Sequence, residues 1–335
     1  MMDCSPEHSE MLSFDQMSTV LHRLIKMDLP IQTVVFTGGE CTRLGDDLLD
    51  MISYANSRGL TTRIVTNAEW ATGKDKTFCY LQALREAGLD EINISFDDYH
   101  ADWVPISNIK RVWTQAAELS FATIAIATCE HGSATVTPDY LRYELGEVIP
   151  TYYEPNGDIN SDLQDSIEKG KQCRFISNNN LYRLGRARNL RKDEFRQHRC
   201  GMVYEGCRDC CRDIVITPEF RVALCCGMRP GAGSIIDIGS AEFESEMSDS
   251  EEIFCRYLSE LGPYSLLSLL GRVFPHETGK LESINSPCEA CESASRLIEK
   301  LDCAVEICQA MQEQLDAEHC LDSILGGVKT DARGE

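Results

Sequence analysis

Over residues 12–153 helical and extended patterns alternate, and the extended runs recur at intervals of about 30 residues. That interval is the length of a strand–helix–strand unit, because two parallel strands need a crossover of a dozen or more residues between them. Residues 12–26 place Met17, Val20, Leu21, Leu24 and Ile25 on one helical stripe. A β-branched run over 31–36 stops at Gly38-Gly39, residues 46–57 read as a helix ended by Gly59, and 61–65 as the next strand. Residues 76–87 are helical with Gly88 as their stop, 91–96 extended, 105–119 helical, 121–128 extended and 138–147 helical. Consecutive parallel units build either a doubly wound sheet or a barrel. In both, the loops at the carboxyl ends of the strands carry function.

Beyond residue 154 the character changes. A loop-like EPNGDINSD precedes residues 183–199, which concentrate seven basic side chains, and residues 200–226 hold six cysteines. Cys288 and Cys291 then open a helical stretch with Leu297, Leu301, Ala304, Cys308, Met311 and Leu315 at alternating steps of four and three, the spacing of a packed seam. The expected organisation is residues 1–180 as an α/β domain, 181–294 as a cysteine-rich domain, and 295–335 as an amphipathic helix and tail.

The 335 residues suffice for a core without cross-links, yet the chain carries 17 cysteines. Acidic side chains outnumber basic ones 54 to 32, a formal charge of −22, which disfavours nucleic acid and anionic membrane as partners. The opening MMDCSPEHSE is acidic and polar, and no apolar run approaches the roughly 18 residues of a membrane span, so the expected location is the reducing cytoplasm. There an odd number of cysteines reads as buried thiols, redox groups or thiolate ligands.

Thr37-Gly38-Gly39-Glu40 ends the first extended run, where two glycines let a ligand approach the backbone and a carboxylate stands ready for an ammonium group. Thr66-Asn67 and Ser95-Phe96-Asp97 end the next two runs, so these polar groups converge on one mouth. A helix-capping role for Asn67, Ser95 or Asp97 is the competing reading.

FTGGECTRL, IVTNAEW and ISFDDYH at these intervals resemble the core of the radical S-adenosylmethionine (radical SAM) superfamily. The resemblance covers roughly residues 1–295. It implies a partial (βα)6 TIM-like barrel in which Gly38, Gly39 and Glu40 hold the amino group of SAM. Ser95, with Asn67 and Asp97, would contact its ribose and carboxylate. The usual proline after Gly-Gly-Glu is replaced by Cys41. The family uses a reduced 4Fe-4S cluster to cleave SAM and abstract hydrogen from substrate, which requires a low-potential electron donor. Its C-x3-C-x2-C cluster motif is absent from this sequence. The resemblance puts that motif, with the first strand, ahead of Met1, with Cys4 just after it. A second register makes Cys4 its third ligand. A start placed too late and a natural remnant both remain open, so the chain as given is expected to cleave no SAM.

Cys211 and Cys225 bracket RDIVITPEFRVAL, a hairpin pattern that brings two end thiols together, and Cys288-x2-Cys291 is a two-residue knuckle of tetrahedral sulfur sites. Cys211, Cys225, Cys288 and Cys291 are the expected metal ligands, with Cys200, Cys207, Cys210 and Cys226 competing. Cys41, Cys79, Cys129, Cys173 and Cys255 read as ordinary thiols. The arrangement resembles a shortened SPASM or twitch extension holding one auxiliary iron–sulfur cluster, with zinc as the alternative. Such extensions imply modification of a peptide or small protein. Residues 183–199 fit either a solvated face or a dock for an acidic peptide. The competing function is a non-catalytic iron–sulfur or zinc protein on a SAM-like barrel.

Overall fold

The computed structural model describes residues 10–27, 30–154, 156–191, 194–195, 206–207, 210, 212–218, 222–223, 225, 249–277, 284 and 286–331. The chain divides into two compact units: Met2–Leu181 with Asn189–Arg196, and Tyr182–Arg188 with Gln197–Glu335.

The first unit is α/β. Strands β1 (Thr33–Phe36), β2 (Thr61–Thr66), β3 (Glu91–Ser95), β4 (Thr123–Glu130) and β5 (Cys173–Asn180) form a five-stranded sheet in chain order, every neighbouring pair parallel. Helices α1 (Phe14–Lys26), α2 (Asp46–Ser57), α3 (Lys74–Glu86), α4 (Asp98–Ala101), α5 (Ile106–Glu118), α6 (Pro138–Leu145) and α7 (Ser161–Glu168) accompany it. Register explains the core. Ile64, Ile92 and Ile124 lie side by side, as do Ile94, Ile126 and Ile176. Both rows are buried against Leu48 and Ile52 of α2, Leu81 and Leu84 of α3, and Val112 and Trp113 of α5. Each such side chain contributes about 1.5–3 kcal/mol on burial.

Period-two alternation assigns a different set to the other face. Arg63, Glu91 and Thr123 form one row, Val65, Asn93, Ala125 and Phe175 the next, and Ser95, Ala127 and Ser177 a third. α1 starts at a capping box between Ser13 and Gln16, and α6 at Thr137 followed by Pro138.

Helix α7 and strand β5 lie almost wholly in residues 163–182, to which the sequence patterns assigned no element. Asn160 caps α7, accepting from the N–H groups of Asp162 and Leu163. β5 ends in Asn178-Asn179-Asn180, poor strand formers whose conformation comes from pairing with β4 all the way to Glu130.

In the second unit the described elements are β6 (Val215–Ile216), β7 (Val222–Ala223), α8 (Asp249–Glu260), α9 (Gly262–Val273), α10 (Pro287–Leu301) and α11 (Ala304–Asp331). β6 and β7 pair antiparallel, Val215 opposite Ala223. Ile298, Ile307, Met311 and Leu315 are buried, as are Leu266 and Leu270 of α9. The single amphipathic helix suggested by the seam is in fact two. Asp302 ends α10 at φ 49°, a conformation that the short side chain of aspartate tolerates, and α11 restarts at Ala304. No described helix is long and apolar enough to cross a membrane.

Gly88 stops α3 at φ +103°, and a Cβ there would stand 2.6 Å from Asn56 Cγ. Gly88→Ala is expected to cost about 1–3 kcal/mol, read by chemical denaturation. An unchanged midpoint would mean that the α3–β3 turn relaxes freely.

Candidate functional site

The carboxyl ends of β1, β2, β3 and β4 open on the same edge of the sheet. After β1, Gly38 takes φ +126°, and a Cβ built on it meets nothing within 4 Å. The chain therefore needs glycine there, and the space beside it is open to a ligand. Glu40 follows and caps the short 3-10 turn Cys41–Leu44. Its Oε1 accepts from Thr42 N at 3.3 Å, Thr42 Oγ1 at 2.7 Å and Thr66 Oγ1 at 2.7 Å, and its Oε2 from Asn67 N at 2.8 Å. A carboxylate has about four acceptor sites, two on each oxygen, so Oε2 retains capacity for a further donor. Thr66 Oγ1 is itself anchored, accepting from Ala68 N and Trp70 Nε1, each at 3.0 Å. The glutamate is thus held rigidly between β1 and β2 with one acceptor direction open.

The other residues expected at this edge divide. Ser95 ends β3 in the row of Ala127 and Ser177, and its hydroxyl has no hydrogen-bond partner among the described residues. Asn67 Oδ1 accepts from Glu69 N at 2.8 Å, closing a turn rather than capping a helix, since α3 begins only at Lys74. Asp97 caps α4, its Oδ1 accepting from His100 N at 3.0 Å and lying 2.8 Å from His100 Nδ1. Burial alone would raise the Asp97 pKa, but the hydrogen bonds and charge of His100 outweigh it and hold the carboxyl below the usual aspartate range. Burial, then the Asp97 carboxylate, push the neighbouring Cys129 thiol up to about 12.

A second aspartate–histidine pair adjoins the first. His131, 7 % exposed, places Nε2 3.2 Å from Asp98 Oδ2. Asp98 also accepts from the backbone N–H groups of Thr135 and Val136 and from Thr135 Oγ1, so one carboxylate pins the turn after β4. The Nδ1 atom of His131 is buried and has no hydrogen-bond partner among the described residues. Tyr99, whose ring lies 5.5 Å from that of His131, donates its hydroxyl to Glu194 Oε2 at 3.0 Å. Sequence reading placed Thr66 among the polar groups at this mouth but did not single out Asp98 or His131 for a role here. Only Asp97 and His100, three apart after a strand, carried a local signal of pairing.

The cysteine region lies within the second unit. Cys210 N donates to Cys207 O at 3.4 Å, while Cys207 N donates to Leu258 O at 2.8 Å. Cys288 and Cys291 are the second and fifth residues of α10, whose start is capped by Ser286 Oγ accepting from Glu289 N at 3.1 Å. Burial pushes the Cys291 thiol up, and Cys225, Cys210, Cys288 and Cys207 each push it the same way. Burial, then Cys207 and Cys225, push Cys210 up to about 12. These five sulfurs therefore share one neighbourhood, and none is in a disulfide. Cys211 lies outside the described residues. Among the described residues no three His, Cys, Asp or Glu side chains form a group placed to hold a metal ion. Cys255, expected as an ordinary thiol, is disulfide-bonded.

Helix α10 is also fastened by two buried carboxylates. Glu289 Oε1 accepts from Arg183 N at 2.8 Å, and Glu292 accepts from Gly185 N at 3.3 Å and pairs with Arg188 and Arg296. Part of the basic stretch thus holds the knuckle helix in place, a use that charge counting could not reveal.

No protein-family model matches the chain, and no curated protein matches it in sequence.

Burial raises the Asp98 pKa, but the hydrogen bonds from Thr135 and Val136 and the charge of His131 outweigh this and depress it. The stability it contributes is full above the ordinary aspartate pKa near 3.9 and is lost as pH falls through the depressed value. Asp98→Asn should therefore lower Tm at pH 7, by an amount that shrinks toward pH 3. A deficit constant across that range would show that the Asp98 charge is not what holds the turn.

Proposed function

We propose that the sheet unit is a radical SAM-type partial (βα)6 barrel that binds SAM at the carboxyl ends of β1, β2 and β3. In the same proposal the cysteine-rich unit holds an auxiliary iron–sulfur cluster, and the substrate is a peptide or small protein. The observation that carries it is Glu40, fixed by Thr42, Thr66 and Asn67 with acceptor capacity left on Oε2, next to a glycine whose φ and open surroundings suit a ligand. An ammonium group fits that oxygen, and the Ser95 hydroxyl, without a partner among the described residues, fits the oxygens of a carboxylate or ribose. Asp97 is occupied by His100 and serves the loop instead.

SAM with a reduced four-iron cluster supplies hydrogen-atom abstraction in proteins of this kind. The chain's own residues orient the methionine end and fix the loops around it. Cys225, Cys288 and Cys291, with Cys211 or with Cys207 and Cys210, are the thiols that would hold the auxiliary cluster. The common neighbourhood of Cys207, Cys210, Cys225, Cys288 and Cys291 supports this, although the described sulfurs are not gathered as a metal-binding group. The sequence contains no C-x3-C-x2-C, so SAM binding is the part of the proposal that these residues carry. The thiols around Cys291 favour, as a second reading, a non-catalytic iron–sulfur or zinc protein on this scaffold.

SAM affinity measured by calorimetry tests the site. Glu40→Gln is expected to weaken binding about 10–100-fold, the worth of a charge-assisted hydrogen bond, with circular dichroism confirming an intact fold. Absence of SAM binding to the unaltered chain, or equal affinity in the variant, would overturn the reading. For the second unit, replacing Cys288 and Cys291 together by serine should abolish iron–sulfur absorption after anaerobic reconstitution. Persistent absorption would assign the metal to other cysteines.

A further inference from the structure

Helix α10 carries two pairs at a spacing of three, Cys288 with Cys291 and Glu289 with Glu292. Side chains three apart on a helix are neighbours, about 5–6 Å between Cβ atoms, so each pair shares one face. Consecutive residues are turned by about 100°, so the carboxylate face lies beside the thiol face. Glu289 and Glu292 are only 6 % and 7 % exposed. Buried carboxylates are costly unless donors meet them. Here donors come from residues 183–188, which belong to the same compact unit as α10. Glu289 Oε1 accepts from Arg183 N at 2.8 Å, Glu292 Oε2 from Gly185 N at 3.3 Å, and Glu292 Oε1 from the Arg188 guanidinium. Arg188 Nε in turn donates to Gly185 O at 2.9 Å, and the buried Leu184 anchors the same segment. The carboxylate face is thus gripped at two points three residues apart. That grip fixes the rotation of α10 about its axis, and with it the direction of the thiol face.

A helix free to roll would lose that freedom when its two thiolates met a metal, at the expense of affinity. Among the described residues no three His, Cys, Asp or Glu side chains form a ready metal group, so the element set in advance is this pair. We propose that Glu289 and Glu292 are positioning residues for metal binding. Held by residues 183–188, they pre-set the rotation of α10 so that Cys288 and Cys291 meet a thiophilic metal ion or cluster together. The inference rests on the proposed reading that these thiols hold a metal, and adds which other residues set the affinity. The coupling is reciprocal by linkage: metal on the thiol face tightens the grip on the carboxylate face, and so steadies the backbone of residues 183–185.

The probe is Co(II) alone, titrated anaerobically into the reduced full chain, with thiolate charge-transfer absorption as the readout. The unaltered chain is expected to show that absorption, and the variant with Cys288→Ser and Cys291→Ser to lack it. Glu292→Gln and Arg188→Gln are each expected to weaken Co(II) binding about tenfold, with circular dichroism unchanged. Charge alone would move the two in opposite directions, because the first removes an anion from the surroundings of a bound cation and the second removes a cation. The double variant should bind no more weakly than the weaker of the single ones, since both break one contact. Amide exchange at Arg183 and Gly185 should slow when Co(II) is added to the unaltered chain, but not when it is added to the double-serine variant. Unchanged affinity in Glu292→Gln, tighter binding in Arg188→Gln, additive losses, or exchange indifferent to Co(II) would overturn the inference and leave the metal reading standing. Absorption that survives replacement of Cys288 and Cys291 overturns it as well. No absorption from the unaltered chain overturns the inference together with the metal reading.

Discussion

Parallel register is the constraint on which the sheet unit depends. Because side chains alternate with period two, pairing Ile64 with Ile92 and Ile94 with Ile126 commits every other residue of these strands to the helical side. Glu91, Asn93 and Ser95 are thereby committed to the opposite face. A one-residue slip would bury an ion-pairing Glu91 and expose the isoleucines. The same register that makes the core therefore sets Ser95 beside Ala127, on the face opposite the isoleucines. Core and candidate ligand surfaces are two readings of one alignment.

At the sheet's edge the controlling interaction is the Glu40 carboxylate with donors from its own turn and from β2. Thr66 and Asn67 reach it from 26 and 27 residues away in sequence, so the loop after β1 is fastened to the end of its neighbour. An acidic side chain held by several short hydrogen bonds has little orientation left to lose when a ligand arrives, and pre-paid ordering of this sort favours binding.

Much of the fold was legible because it rests on local rules. Helix α2 spans the residues its pattern indicated, and the strand ends at Phe36, Thr66 and Ser95 differ from expectation by at most one position. Strand β5 was not legible, since Asn178, Asn179 and Asn180 adopt extended geometry only because β4 offers partners as far as Glu130. The candidate site divides in the same way. Gly38 and Glu40 are marked by residue type after a strand. The roles of Thr66, of Asp98 with His131, and of Glu292 with Arg188 arise from contacts across 26, 33 and 104 residues, which no window of sequence displays. The cysteine count indicated a sulfur neighbourhood, but membership depends on the hydrogen bond between Cys210 and Cys207 and on where α10 begins.

The chain leaves the sheet unit after Leu181, returns to it for Asn189–Arg196, and leaves again at Gln197. That returning segment supplies Glu194, whose carboxylate receives the Tyr99 hydroxyl and whose carbonyl receives Gly132 N. The two units are consequently not separable by one cut. Expression of residues up to 181 alone would strip the end of β4 of its strap, while a boundary placed after 196 would carry a loop of the other unit with it. Dissection of this protein into domains is therefore a problem of interleaved segments, and a circular permutation or a spliced linker would be needed to isolate the sheet with all its parts.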